Sequence, residues 1–423
     1  MIQAPRGTRD VLPSQSSRWQ HIESVMREEC RLAGFHEIRT PVFEHTELFL
    51  RGVGETTDIV QKEMYTFEDK GGRSITLQPE GTAGAVRLFL EHGLFNEPLP
   101  LKMYYLYCPV FRYEAPQAGR FREHHQFGVE AFGAPSPSMD AEIIALGAGI
   151  VRRLGLKDLE LHVNSIGCPQ CRPSYQEALR EFLRPRLPRL CGSCNERFSR
   201  NPLRILDCKV PSCQEELKGA PVTLDYLCED CSGHFEALKI ALQKLGVPFV
   251  IDTGLVRGLD YYTKTVFEMI AALPDGGHFT TFGGGRYDGL VELIGGPPTA
   301  GIGFGLGMER ILSVMEGHGL FEGERSEAPG VFIASMGQEA ALAALTLAQS
   351  LRESCLSADM DHAGRSLKAQ FKYAGRLGSP YVVVIGENEL QSGKYTLRDM
   401  QSKEEVALSP AELIETLKKG ALR

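Results

Sequence analysis

Four glycines alternate along one short apolar segment, Gly301-Ile-Gly-Phe-Gly-Leu-Gly307. Because alternate residues of a strand share a face, this pattern predicts a strand with bare backbone on one face and Ile302, Phe304 and Leu306 on the other. Arg310 follows three residues later, and a guanidinium group stacks well on an aromatic plane. The segment therefore predicts a site where a purine lies between backbone and Arg310, with tight packing of the glycines as the alternative.

A second group of polar residues falls on one face of a predicted hairpin. Two strands joined by the loop Ala115–Glu123 place these residues on that face: Arg112, Glu114, Gln126, Gly128 and Glu130. Such a stripe is costly to bury unless a ligand or partner satisfies its hydrogen bonds. The alternative is the solvated side of an antiparallel sheet.

Two further segments combine glycine with arginine and hydroxyl groups. In Arg257-Gly-Leu-Asp-Tyr-Tyr262 the arginine could neutralise phosphate while Tyr261 and Tyr262 bind a small polar ligand. Gly283–Gly289 predicts a glycine-rich turn that presents Arg286 and Asp288, either to a ligand or for structural reasons alone. The chain has no P-loop and no Rossmann glycine motif, so a nucleotide would have to bind in another way.

Eight of the eleven cysteines lie between residues 168 and 231 and form four close pairs. The pairs are Cys168/Cys171, Cys191/Cys194, Cys208/Cys213 and Cys228/Cys231. Two such pairs that meet in space can bind one Zn²⁺ tetrahedrally, so four pairs could build two sites. This spacing predicts structural zinc, and ordinary reduced cysteines are the alternative.

These residues must be positioned by a chain that mixes helices and strands. The segment Ser17–Ala33 has the periodicity of an amphipathic helix, and several later segments alternate as strands do. Few regular βαβ units are present, which favours a largely antiparallel sheet flanked by helices. Gly317–Gly330 predicts an exposed linker, after which strands and helices alternate in a small α/β domain.

A basic stripe marks this last part of the chain. Its residues are spaced 3, 4 and 4 apart, as on one helix face: Arg365, Lys368, Lys372 and Arg376. No acidic residue occurs from Ala363 to Gly386, so the stripe lacks a local counter-charge. A solvated helix face and a surface for nucleic-acid phosphates are the two interpretations.

Composition limits the function classes. The 423 residues carry 46 Lys+Arg against 54 Asp+Glu, a net charge of −8, with 43 % hydrophobic residues. This is the mix of a globular protein, and net acidity argues against sequence-independent coating of nucleic acid. No apolar run approaches a membrane span and the N-terminal MIQAPRGTRD lacks the apolar core of a signal peptide, so we expect a cytoplasmic protein without a membrane partner.

Taken together, these segments resemble the histidyl-tRNA synthetases, a class II aminoacyl-tRNA synthetase family, across essentially the whole chain. Phe35–Phe49 resembles motif 1, Phe111–Glu130 motif 2 and Gly301–Arg310 motif 3. Those three indicate the class alone. Arg257–Tyr262 and Gly283–Gly289 resemble the two histidine-specific signatures.

The resemblance implies an α+β fold with a mostly antiparallel catalytic sheet. The class II catalytic domain would span residues 1–325, interrupted at about 168–238 by a Cys-rich insertion domain, and an α/β anticodon-binding domain would span 328–423. Pro41 falls at the dimer-interface position of motif 1, so the resemblance also implies a homodimer.

The resemblance implies roles for individual residues. Histidine would be bound by Glu80, Gly81, Thr82, Arg112, Gln126, Glu130, Arg257, Tyr261 and Tyr262. ATP would be bound by Arg112, Glu114, Arg120, Gly303, Gly305 and Arg310. The catalytic cations would be Arg112, Arg257 and Arg310, and tRNA would contact Gln117 and the basic stripe.

The implied reaction is histidine–tRNA ligation with ATP and Mg²⁺. The carboxylate of L-histidine would attack the α-phosphorus of ATP, and tRNA(His) would then take the acyl group and release AMP. Ala115 and Ala118 replace charges expected in the motif 2 loop, and Glu123 adds a negative one. The alternatives are a non-catalytic regulatory subunit of ATP phosphoribosyltransferase, which shares this fold, and an RNA-binding or signalling protein that lost catalysis.

Overall fold

The computed structural model describes residues 1–54, 57–114, 121–272, 277–321 and 328–420. The helices are α1 Pro13–Leu32, α2 Thr46–Val53, α3 Thr82–Glu91, α4 Pro137–Arg153, α5 Arg172–Leu183, α6 Gly192–Arg200, α7 Pro211–Glu216, α8 Glu229–Lys244, α9 Leu290–Leu293, α10 Met308–Gly317, α11 Gln338–Glu353, α12 Leu367–Leu377, α13 Glu387–Ser392 and α14 Pro410–Gly420. The strands are β1 His36–Glu37, β2 Phe43–His45, β3 Thr66–Glu68, β4 Ser74–Leu77, β5 Leu101–Phe111, β6 Glu123–Phe132, β7 Leu159–Ser165, β8 Val250–Ile251, β9 Thr263–Ala272, β10 His278–Arg286, β11 Gly301–Gly307, β12 Val331–Ser335, β13 Ala358–Met360, β14 Tyr381–Ile385, β15 Tyr395–Asp399 and β16 Glu405–Leu408.

An eight-stranded sheet forms the centre of the larger of two compact units, Met1–Phe321. Its strand order is β1-β5-β6-β11-β10-β9-β7-β8, and all six inner strands pair antiparallel while β1 and β8 pair parallel at the edges. The largely antiparallel sheet expected from the sequence is confirmed. Helices α1, α4 and α8 contribute apolar residues to the core on one face, including the fully buried Ile22, Ile144 and Leu238.

Local sequence explains why two helices of this unit, α4 and α3, begin where they do. Ser136 caps α4 by accepting a hydrogen bond from the Ser138 amide at 3.3 Å, and Pro137 occupies the first helical position. Helix α3 begins at Thr82, where the Glu80 carboxylate accepts hydrogen bonds from the first two amides of the helix. Glu80, a residue predicted to bind histidine, therefore also caps α3, and these hydrogen bonds fix the position of its carboxylate.

A cysteine-rich insertion leaves the central sheet after β7 and returns in α8. It contains α5, α6 and α7, joined by short 3₁₀ turns at Arg184–Arg189, Pro202–Ile205 and Thr223–Tyr226. Its small core combines Tyr175, Leu179 and Leu183 of α5 with several of the cysteines.

The second unit, Glu322–Arg423, is built on a five-stranded sheet of order β13-β12-β14-β15-β16. Strands β12, β13 and β14 are parallel, as expected for the predicted α/β domain. Helices α11 and α14 pack on one face of this sheet and α12 on the other, because the side chains of β12 alternate between two clusters. Among the described residues, no helix is both long and apolar enough to cross a bilayer.

Candidate active site

The side chains predicted to bind histidine meet on one face of the central sheet. Strands β6 and β11 pair so that Glu130 lies beside Gly303 and Gln126 beside Gly307. Gly305 in turn lies beside Gly283 of β10. Because glycine carries no Cβ, long side chains from neighbouring strands can lie flat on this part of the sheet.

The bare ledge predicted along β11 is narrower than the sequence suggests. A Cβ at Gly303 would overlap the Glu130 carboxylate, and one at Gly305 would overlap the amide of Gln126. Gly303 and Gly305 are therefore both approached by the protein's own side chains, and Gly305 and Gly307 also line an open cleft with Arg310. The glycines thus serve two purposes: they make room for the polar residues of β6 and leave a ledge at the Arg310 end.

Glu80 is a buried carboxylate at the N-terminus of α3. It accepts hydrogen bonds from the amides of Thr82 at 2.8 Å and Ala83 at 2.7 Å, and Tyr261 donates its hydroxyl at 3.5 Å. Burial is the largest influence and raises the pKa of Glu80, while these amides and the charge of Arg112 lower it. Gly81, which precedes the helix, has no room for a Cβ because the Tyr105 ring lies against it.

Glu130 is a second buried carboxylate, only 1 % exposed, in the same pocket. The hydroxyls of Tyr105, at 3.2 Å, and Tyr287 donate to its two oxygens. Burial raises the pKa of Glu130 to about 8, and the nearby charge of Glu80 adds to that shift. Within the described ranges, no lysine or arginine is bonded to these two buried carboxyl groups, and such a pocket favours a cationic ligand.

Tyr105 and Tyr287 are pocket residues that the sequence interpretation missed. The ring of Tyr287 lies 5.8 Å from that of Tyr261, whose ring is 4.7 Å from Tyr262, so three tyrosines line one wall. The signal for Tyr105 is its pairing with Gly128, since a Cβ there would overlap the Tyr105 ring. Tyr287 lies inside the segment Gly283–Gly289, for which the sequence prediction considered only the charged residues Arg286 and Asp288.

Three arginines converge on a cleft next to this pocket. Arg112, Arg257 and Arg310 line a cavity of about 200 Å³ together with Glu114 and Gln126. A neighbouring cavity of about 600 Å³ contains the same three arginines and Tyr262. Cations gathered from three different elements form a site for a polyphosphate.

Each arginine is held by its own contacts. Arg112 donates from Nε to the Pro79 carbonyl at 2.9 Å, and the Arg310 guanidinium lies 5.4 Å from the centre of the Phe279 ring. Arg257 forms an ion pair with Glu268, a residue of β9 that the sequence interpretation missed. These contacts orient the guanidinium groups before any ligand binds.

Two polar atoms at the meeting point of the pocket and the cleft have no hydrogen-bond partner within the described part of the chain. They are Gln126 Oε1 and Arg257 Nε, and both are buried. Nearby, burial and the charges of Arg112 and Arg310 lower the pKa of His124 to about 3, so its imidazole is neutral at pH 7. Buried polar atoms of this kind are usually satisfied by a ligand or by water.

The turn predicted over Gly283–Gly289 is found only at Asp288 and Gly289 and is wrong for the residues before them. Residues up to Arg286 belong to strand β10, and the Arg286 side chain is fully buried in ion pairs with Asp140 and Asp288. His234 of α8 joins this network through Asp140 at 2.8 Å. Arg286 therefore ties α4 to the sheet, and Tyr287 is the residue of this segment that reaches the pocket.

Residues 115–120 of the motif 2 loop lie outside the described residues. This applies to Gln117 and Arg120, predicted to contact tRNA and ATP, and to the substituted positions Ala115 and Ala118. Glu123 is the first residue of β6.

The eight cysteines gather into two quartets, with all candidate Sγ atoms of each quartet within 4.8 Å of one another. The neck quartet is Cys168, Cys171, Cys228 and Cys231, and the distal quartet is Cys191, Cys194, Cys208 and Cys213. The cysteines are free thiols, and Sγ–Sγ distances of 3.6 Å for Cys168–Cys171 and 3.9 Å for Cys168–Cys228 and Cys191–Cys208 match the edge of about 3.8 Å for a tetrahedron with Zn–S bonds of about 2.3 Å. In each quartet a backbone amide donates to a sulfur, that of Cys228 to Cys171 and that of Cys191 to Cys213.

In the second unit, three of the four basic residues form an exposed stripe on α12. Lys368, Lys372 and Arg376 are exposed, while Leu367, Phe371 and Ala374 on the opposite face of the helix pack on the sheet. Arg365 precedes the helix and pairs with the buried carboxylate of Asp361, so the prediction that it lacks a counter-charge is wrong.

Comparisons with known proteins give matches along nearly the whole chain. The family model for histidyl-tRNA synthetase matches residues 7–311, and that for the anticodon binding domain matches residues 330–420. A histidine–tRNA ligase of Caldanaerobacter subterraneus is 54 % identical over 418 residues, covering 99 % of this chain and 100 % of that protein. The crystal structure of apo S. aureus histidyl-tRNA synthetase is 41 % identical with a TM-score of 0.84 and covers 99 % of this chain and 100 % of that one.

A more distant solved structure bears on the regulatory alternative. An ATP phosphoribosyltransferase regulatory subunit/histidyl-tRNA synthetase from Bacillus halodurans is 24 % identical with a TM-score of 0.65, covering 91 % of this chain and 98 % of that one. At this identity the likeness extends to the fold alone. The full-length similarity to histidine–tRNA ligases disfavours the regulatory interpretation.

Proposed function

Because the chain belongs to the histidyl-tRNA synthetase family and is a histidine–tRNA ligase, we propose how its residues divide the reaction between two adjoining sites. The enzyme uses ATP to activate histidine. The acid pocket around Glu80 and Glu130 holds the amino acid, and the arginine cleft holds the triphosphate. The observation that carries this division is the junction of the two sites, where Gln126 and Arg257 present buried atoms to a ligand.

On the amino-acid side, opposite charges and fixed hydroxyls recognise histidine. The ammonium group and the imidazole N–H are donors, and Glu80, Glu130 and Gln126 Oε1 are the acceptors within the pocket. Thr82, beside Gly81, contributes a hydroxyl, and the rings of Tyr261 and Tyr262 form the wall against the side chain. A cation between two carboxyl groups would offset the cost of ionising both in a buried site.

On the nucleotide side, three arginines neutralise charge while the β11 ledge receives the base. Arg310 stacks over the purine at Gly305 and Gly307, Arg112 holds the phosphates, and Glu114 and the loop residue Arg120 complete the site. Gly303 acts indirectly, by making room for Glu130. Mg²⁺ enters with ATP as the counter-ion of its phosphates.

Arg257 lies where the two sites meet, and we assign it to the transferring phosphorus. Histidine carboxylate attacks the α-phosphorus in line, the bond to the bridging oxygen breaks, and pyrophosphate leaves. A fixed guanidinium stabilises charge on the equatorial oxygens of the transition state, and no covalent nucleophile is needed. The 3′ end of tRNA(His) then accepts the histidyl group, and AMP is released.

Pyrophosphate exchange tests this function. Incubated with ATP, Mg²⁺ and labelled pyrophosphate, the purified protein should form labelled ATP only when histidine is added. A well-folded preparation that shows no histidine-dependent exchange would contradict the proposal. Exchange driven equally by other amino acids would contradict the assigned pocket.

Zinc is assigned to the two cysteine quartets. Four sulfur ligands at tetrahedral spacing, with backbone amides donating to the sulfurs, form the donor set of a closed structural site, while catalytic sites keep an open position. Protein purified without chelator should contain two zinc ions per chain by elemental analysis. Less than about half an ion per chain would reject the assignment.

The exposed stripe on α12 is assigned to tRNA phosphates. Reversing Lys368 and Lys372 to Glu should raise KM for tRNA by about 10-fold or more, because each change replaces attraction by repulsion. Pyrophosphate exchange should not change. The matched control reverses Lys418 and Lys419 of α14, on the other face of the sheet, and should leave KM for tRNA unchanged; an equal loss in both assays would contradict the assignment.

We also assign a homodimer and a cytoplasmic location, where histidine and tRNA are available. The small sheet β2-β4-β3 includes residues Phe43–His45 of the segment that resembles motif 1. It and the preceding residue expose large apolar side chains, with Val42 41 %, Phe43 51 % and Phe67 49 % accessible. Exposed apolar groups on and beside one small sheet are typical of an interface between chains, and two of them, Val42 and Phe43, directly follow Pro41 in sequence.

A further inference from the structure

The loop that carries Arg257 and Tyr262 has little regular structure of its own. Residues 252–262 contain no helix or strand, yet they hold one catalytic cation and two tyrosines of the histidine pocket. A backbone of this kind keeps a defined position only if neighbouring elements bond to it.

The distal part of the insertion provides such bonds from one side. Asn201 Nδ2 donates to Asp260 Oδ1 at 3.0 Å, and Arg204 Nη1 donates to the Gly258 carbonyl at 3.0 Å. Both donors lie between Cys194 and Cys208, two ligands of the distal quartet. The path of their backbone is therefore set by that quartet.

Arg204 also bonds to the segment between α2 and β3. Arg204 Nη2 and Arg197 Nη2 both reach Asp58 Oδ2, at 3.3 and 2.9 Å. Asp207 and Lys209, on either side of Cys208, line the larger active-site cavity. The distal quartet thus sits at the edge of the catalytic cleft.

The neck quartet reaches the other end of the loop. Arg172 directly follows Cys171 and donates from Nη2 to the carbonyl of Tyr262. Two backbone bonds lie beside it: Ile166 N to Lys264 O at 2.8 Å and Lys264 N to Gly167 O at 2.9 Å. Through Arg172, the neck quartet therefore fixes the position of Tyr262, the last residue of the tyrosine wall.

We propose that the zinc-bound insertion is a brace for the loop Arg257–Tyr262, so that histidine binding depends on the two cysteine quartets before any tRNA is present. Arg172, Asn201 and Arg204 are its positioning residues. This inference rests on the ligase function and the zinc assignment proposed above. It gives the insertion a role in amino-acid activation.

The test measures steady-state pyrophosphate exchange without tRNA. Asn201→Ala and Arg204→Met, combined, should raise KM for histidine about 10-fold and lower kcat, because both bonds to the loop are lost. KM for ATP should stay within about twofold, since Arg112 and Arg310 lie on other elements. Arg204→Lys, which keeps a donor for the Gly258 carbonyl, should recover part of the histidine affinity.

A matched control separates position from charge. Arg200→Met removes an exposed arginine of α6 for which no bond to the loop is found among the described residues, and it should leave both KM values unchanged. Zinc content and melting temperature of every variant are measured in parallel. A double variant that keeps its zinc and binds histidine like the parent enzyme would overturn the brace and leave the zinc sites intact.

Removal of the metal tests whether histidine binding depends on zinc in the two quartets. A zinc-selective chelator, with Mg²⁺ in excess, should raise KM for histidine as zinc is released, and added Zn²⁺ should restore it. Unchanged KM after complete release would overturn the dependence on metal. A protein purified without zinc would reject the zinc assignment itself, while the kinetic variants would still report on the contacts that Asn201 and Arg204 make with the loop.

Discussion

Replacing Arg257 with Ala is expected to lower kcat/KM for histidine-dependent exchange by about 10²- to 10³-fold, the usual cost of removing one fixed donor from a charged transition state. The guanidinium lies where the acid pocket meets the arginine cleft and is oriented by Glu268. Most of the loss should appear in kcat, since Arg112 and Arg310 remain to bind ATP. Steady-state exchange kinetics measure both parameters.

The control for this variant is Arg51→Ala on α2, which removes an arginine in an exposed ion pair with Glu47. It should retain parent activity, because surface pairs contribute little to stability. If Arg257→Ala instead raised KM for ATP with kcat unchanged, Arg257 would be a ground-state binding residue, and its assignment to the transition state would fail.

Glu130→Gln should raise KM for histidine by about 10- to 100-fold, because a hydrogen bond to a charged group contributes about 1.5–3 kcal/mol. The amide keeps the shape of the side chain and can still accept a bond from Tyr105 or Tyr287. The variant loses the negative charge that attracts a cationic ligand. Exchange kinetics at pH 9, where the parent carboxyl is ionised, give the clearest comparison.

The pH dependence of this effect has a defined sign. Burial raises the pKa of Glu130 to about 8, so the carboxyl is neutral below that pH and charged above it. The ratio of parent to variant kcat/KM for histidine should therefore increase as pH rises from 6.5 through 8 and level off above about pH 9, and the ratio removes the titration of histidine itself. A ratio that does not change with pH would contradict the role of the ionised carboxylate.

Stability provides an independent check on the same group. A carboxyl whose pKa is raised by folding from 4.5 to about 8 contributes stability at low pH that is lost as pH rises through this window. Glu130→Gln does not titrate, so its melting temperature should fall less than that of the parent between pH 6 and pH 9. This comparison also establishes that the variant is folded.

Periodicity in the sequence predicted most of the elements that position the site. The strand Gly301–Gly307, the β5–β6 hairpin and the basic helix after Ser366 were all expected, because apolar residues mark their buried faces. Helix ends were less predictable: α1 begins at Pro13, before the apolar stripe that starts near Trp19. A proline at the first turn is compatible with a helix, but hydrophobic spacing carries no information about it.

The site itself was predicted by residue type, and its internal contacts were not. The glycines of β11 were expected to bed a ligand, yet Gly303 accommodates Glu130, since a missing Cβ can be filled by the protein or by a ligand. Arg286 is a charged residue beside glycines, as ligand-binding residues often are. In the structure it is buried and forms an ion pair with Asp140, which is distant in sequence. Such pairings depend on tertiary contacts that no local pattern encodes.

A crystal structure of the enzyme with ATP and histidinol tests the division into two sites most directly. Histidinol keeps the ammonium and imidazole groups of histidine but has a hydroxymethyl group in place of the attacking carboxylate, so it cannot react. We expect the ammonium and imidazole groups between Glu80 and Glu130, the purine between the Gly305–Gly307 ledge and Arg310, and the α-phosphate next to Arg257. A purine bound away from that ledge, or an imidazole outside the tyrosine wall, would contradict the account.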